Sequence, residues 1–128
     1  MSYHFTTTLS GDFDAAIEKV TAALQEKGFG VMTTINVQGA LKEKIGADIN
    51  PYFILGACNP HFAYKALQQE NKIGTMLPCN VLLQQLDNGD IEVSAVDPMA
   101  SMQAIENPGL AGIATEVQAL LKEMIEQL

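Results

Sequence analysis

The segment NVLLQQLDNGDIEVSAV, residues 80–96, constrains this chain more than any other. Two apolar runs flank Asp87-Asn88-Gly89-Asp90. Asn-Gly readily accepts the positive φ angles of a type I′ turn, so the spacing predicts a tight hairpin. A hairpin of this kind commits the chain to a largely antiparallel sheet, because parallel strands need a long crossover between them.

The remaining elements are read around that hairpin. YHFTTTL alternates Tyr3, Phe5, Thr7 and Leu9 as a half-buried strand does. FDAAIEKVTAALQEK places Phe13, Ile17, Val20 and Leu24 on one helical face, with Asp12 as N-cap and Gly28 ending the helix. FGVMTTINV predicts a second strand with Phe29, Val31, Thr33, Ile35 and Val37 on one side. GALKEKIG predicts one or two helical turns. YFILGA, residues 52–57, is apolar on both faces and reads as a central strand.

Three helices are predicted to open on an Asx-Pro pair, at Asn59-Pro60, Asp97-Pro98 and Asn107-Pro108. Proline at the first helical position loses no hydrogen bond, since that amide is free in any case. The first of these helices runs to about Glu70. The second carries Met99, Met102 and Ile105, and the third Leu110, Ile113, Val117, Leu120, Leu121 and Met124. The order is then β-α-β-(α)-β-α-β-β-α-α. It implies a two-layer α+β sandwich over residues 1–128, a single domain with a mostly antiparallel sheet and helices on one face.

Charge narrows the functions. Fifteen acidic residues against seven lysines give a net charge of −8, and the chain has no arginine. Such a surface repels nucleic-acid phosphates and anionic membranes, and the only basic crowding is Lys42 and Lys44 around Glu43. No stretch approaches the roughly 18 apolar residues of a membrane span. The opening MSYHFTTTLS has neither the basic nor the apolar region of a secretory signal, so a cytoplasmic setting with reduced thiols is expected.

The candidate site lies in ILGACNPHFAYKAL and LPCNVLL, which hold the only two cysteines. Cys58 precedes a helix N-terminus, where free amides and the helix dipole favour negative charge and can lower a thiol pKa. Asn59 could cap that helix, and His61 lies in its first turn. If strands 52–57 and 80–86 run antiparallel, Cys58 and Cys79 share one sheet end, with Asn80 beside them. The alternative for each cysteine is inert core packing. No metal is expected, since two cysteines 21 residues apart with only His4 and His61 match no zinc spacing. No glycine-rich phosphate loop, nucleophile elbow or paired carboxylate points to an enzyme, and no cofactor is implied.

The order of GFGVMTTINVQGALKEKIG, PYFILGACNPHFAYKAL, LPCNVLL and VDPMASM resembles the bacterial and archaeal family known as domain of unknown function 302. The resemblance covers nearly the whole chain. It implies a compact α+β fold and a dimer, and no activity. Asn59, Pro60, Leu77 and Pro78 carry over as fold-defining positions, with Gly89 set by the hairpin turn.

Three functions are weighed. The first is a non-catalytic module binding a small apolar or anionic ligand in a cleft at the cysteine end. The second is thiol chemistry on Cys58 and Cys79, as a redox couple, a sulfur carrier or a transient thiolate metal site. The third is a homodimeric scaffold, with Leu120, Leu121, Met124, Ile125 and Leu128 giving the last helix more apolar surface than one stripe requires.

Overall fold

A computed structural model describes residues 2–128. Five strands form one antiparallel sheet: β1 His4–Leu9, β2 Gly30–Asn36, β3 Tyr52–Cys58, β4 Cys79–Gln85 and β5 Ile91–Val96. They lie side by side in the order β1-β5-β4-β3-β2. Five helices accompany them: α1 Phe13–Glu26, α2 Val37–Ile45, α3 Pro60–Gln69, α4 Pro98–Ser101 and α5 Pro108–Glu126, with a 3₁₀ turn at Ile73–Met76. The α+β sandwich and its element order are those expected, and strands β3 and β4 run antiparallel.

Alternation decides the layers. Phe5 stands opposite Ala95, Val81 opposite Ala95, Leu83 opposite Val93, and Leu55 opposite Val81. These residues share one face, which packs on Val20 and Leu24 of α1 and on Leu121 and Met124 of α5. A smaller cluster of Ala66, Ile73 and Leu110 joins α3, the 3₁₀ turn and the start of α5. Lys27 and Glu123 tie the end of α1 to α5 with a 2.9 Å ion pair. Its carboxylate is exposed, so the pair adds little stability.

The Asx caps form as predicted. Asp12 accepts from the Ala15 amide at 3.0 Å, Asp97 from the Met99 amide at 2.9 Å and Asn107 from the Gly109 amide at 3.0 Å. The Asn107 side chain also donates to the Gln69 carbonyl at 2.7 Å, which fixes the start of α5 against the end of α3.

Two local expectations need correction. The hairpin turn is not type I′, which requires positive φ at both central residues. Gly89 has φ +93°, but no non-glycine residue among those described has positive φ. The Gly89 amide donates to the Leu86 carbonyl at 2.9 Å, and left-handed Gly89 completes a three-residue connection. In β2 the single alternating face fails at Met32, an extra residue between the Val31 and Thr33 pairings. Beyond this bulge Thr33 and Ile35 stand opposite Gly56 and Ile54, on the face away from the helices, whereas Val31 stands opposite Ala57. Val37 belongs to α2 instead, which Asn36 opens by accepting from the Gly39 amide at 2.9 Å.

Candidate functional site

The antiparallel pairing of β3 and β4 brings the two cysteines to one end of the sheet. Cys79 stands opposite Ala57, and Cys58 is the next residue along β3. Both line a cavity of about 30 Å³ between that sheet end and helices α3, α4 and α5. Its other walls include Phe29, Phe62, Leu77, Met102 and Val117. The cavity thus lies at the seam where the main core meets the smaller cluster around Ile73. No charged side chain lines it.

The thiols are neutral in this setting. Burial pushes the Cys58 thiol up. Burial, and secondarily the approach of Cys58, pushes Cys79 up to about 11. Desolvation therefore outweighs the attraction that the α3 N-terminus would offer a thiolate. That terminus is also engaged. Pro60 has no amide to offer, and Asn59 accepts from the Phe62 amide at a long 3.5 Å.

The expected site residues separate into two groups. Cys58, Asn59 and Cys79 share the cavity. His61 is exposed on the first turn of α3 and does not line it. Asn80 follows Cys79 by one residue, so alternation turns it to the opposite face of the sheet, where it lines a separate groove. Of the two methionines placed on the second Asx-Pro helix, Met102 contributes to the cavity, while Met99 is exposed and its sulfur accepts from Thr115 at 3.5 Å.

Leu77 and Pro78 shape the approach to Cys79, and their peptide bond is cis. Opposite them Gly56 leaves no room for a side chain. An added Cβ would lie 2.6 Å from Thr33 Cγ2 and 2.8 Å from Pro78 Cγ. The close side chains of Thr33 and Pro78, rather than a special φ, make this position a glycine.

A model of the family described as domain of unknown function DUF302 matches residues 5–128. The chain belongs to this family. A crystal structure of an uncharacterised conserved DUF302 protein from Bacillus stearothermophilus is similar throughout, with a TM-score of 0.90 and 28% sequence identity. The likeness covers 99% of this chain and 98% of that one. No curated protein matches the chain. Among the described residues of this DUF302 domain no helix is long and apolar enough to cross a membrane. Among the described residues no three or more His, Cys, Asp or Glu side chains gather where they could hold a metal ion.

The last helix does not offer the free apolar surface expected of it. Leu121, Met124 and Ile125 are buried within the chain's own core, with Leu120 and Leu128 packed against it. Exposed apolar side chains lie elsewhere, at Met32 (72% exposed) and Ile35 in β2 and at Ile45 (73%) in α2. Helix α2 has no buried residue at all.

Proposed function

We propose that this DUF302 domain is a non-catalytic binding module whose site is the cavity at the cysteine end of the sheet. The observation that carries the reading is the lining: two thiols held neutral and apolar walls, with no charged group. Such a lining favours a small apolar ligand over an anion. The volume leaves room for about one or two water-sized molecules, so the resting cavity suits a molecule of very few atoms. Xenon is the direct probe, since it enters dry apolar cavities. Xenon pressure is expected to raise the melting temperature and to shift the methyl signals of Met102 and Val117. Unchanged signals at both would end this reading.

Thiol redox chemistry is less well supported. Cys79 stands opposite Ala57 rather than Cys58, and successive side chains in a strand point to opposite faces. A disulfide between them would need the strand end to rearrange.

The partner we assign to β2 and α2 is a second copy of the chain. A helix with no buried residue beside a strand exposing Met32 and Ile35 leaves apolar area that a twofold contact would cover. Light scattering at micromolar concentration is expected to give twice the chain mass. A monomer mass would remove this assignment.

A further inference from the structure

The face of the sheet away from the helices carries a second concavity of about 380 Å³, where polar side chains stand among apolar ones. That is within the usual size range of small-molecule sites, roughly 300–1,000 Å³. Its floor comes from β1, β5 and β4, three strands that the fold places side by side although β1 is far from the others in sequence. Register builds it row by row. Thr6 stands opposite Ser94, and Ser94 opposite Leu82; Gln84 stands opposite both Glu92 and Tyr52.

A hydrogen-bond chain underlies this floor. His4 Nδ1 lies 2.6 Å from the Thr6 hydroxyl, which lies 2.9 Å from the Ser94 hydroxyl. Ser94 is 8% exposed, the one buried polar residue among those described. Its hydroxyl is therefore held in place before any ligand arrives, and preorganisation of this kind lowers the entropic cost of binding. Across the floor, Gln84 donates to Glu92 Oε1 at 3.1 Å, so the one carboxylate in the groove is already engaged. The amide of Asn80 adds a further donor and acceptor, and the rings of Tyr3 and Tyr52 supply aromatic surface. The Tyr3 ring is 70% exposed and stands edge-on to His4 at 4.8 Å.

The donor set selects the ligand. No lysine lines the groove, and a chain of net charge −8 repels anions. A cation would meet only one carboxylate, already bonded to an amide. What remains is a set of neutral amides, hydroxyls and an imidazole beside two aromatic rings and the aliphatic side chains of Leu82 and Val96. It matches a molecule with many hydroxyls on one side and C–H groups on the other. We propose that this groove binds a neutral saccharide of one or two rings, through Ser94, Asn80 and Gln84, against Tyr3 and Tyr52.

The test is amide chemical-shift mapping of the full chain with maltose, cellobiose and diacetylchitobiose, with AMP as the counter-probe. At least one disaccharide is expected to shift the amides of Asn80, Gln84 and Ser94 and to saturate in the millimolar range. Asn80→Ala, at an exposed position, is expected to weaken that binding about tenfold with an unchanged melting temperature, as Ser94→Ala is to weaken it. Three outcomes would overturn the proposal. No disaccharide shifts these amides; AMP alone shifts them, which means a planar base is the ligand; or they move with protein concentration alone, which means a second copy covers the face.

Discussion

Native protein treated with iodoacetamide at neutral pH will be alkylated slowly at Cys58 and negligibly at Cys79. The thiolate is the reacting form, and Cys79, held near 11, carries on the order of a hundredfold less of it than an unburied cysteine. The same burial makes stability depend on pH. The folded pKa of Cys79 lies above its unfolded value, so the unfolded chain releases the proton first. The stabilisation is fully present below the unfolded pKa and is lost as pH rises through the folded one. Between pH 9 and 11 native protein should lose about 2–3 kcal/mol more than Cys79→Ala does. Paired urea titrations across that range measure the difference, and parallel curves would mean that the thiol is not desolvated. Rapid labelling of Cys58 below pH 7 would make the thiolate reading the leading one.

Replacing Phe29 by alanine will have the largest effect on stability of any change at the cavity. Phe29 is 2% exposed, belongs to the main core and forms one wall of the space around the thiols. Truncations of buried phenylalanine cost about 3–5 kcal/mol, the lost transfer energy plus the void left behind. That loss should show as a lower urea midpoint at unchanged slope. The void joins the existing cavity, so benzene is expected to raise the melting temperature of Phe29→Ala and to leave the native protein unchanged. A variant that is destabilised yet indifferent to benzene would show that the walls collapse inward, and that this end of the molecule does not keep an open apolar space.

What could be read in advance follows from the range of the interactions involved. The hairpin at Asn88-Gly89 and the three Asx-Pro helix starts are decided by neighbours within four residues, and their positions were legible. The meeting of Cys58 and Cys79 was legible only as a condition, because it required β3 and β4 to run antiparallel, as they do. The bulge at Met32 was not legible. Val31, Thr33 and Ile35 alternate perfectly in the chain, and only the pairing with β3 shows that a residue is extra. Asn80 was assigned to the cysteines on sequence proximity alone, although one step along a strand reverses the face. The polar groove depended on β1 lying against β5, a pairing across nearly ninety positions that no local pattern announces. His4 therefore read as an isolated histidine, and Ser94 as an unremarked strand residue.

The bulge at Met32 also bears on how the molecule behaves in a crowd. Strand β2 is the last in its row, and a straight outermost strand presents unpaired amides and carbonyls on which another chain can stack. An extra residue kinks and twists that border, and so interrupts the template a growing fibril needs. The other outermost strand, β1, pairs with β5 without a break, so this protection lies at the β2 border alone. A local defect in strand pairing thus blunts one of the two edges on which the sheet could grow.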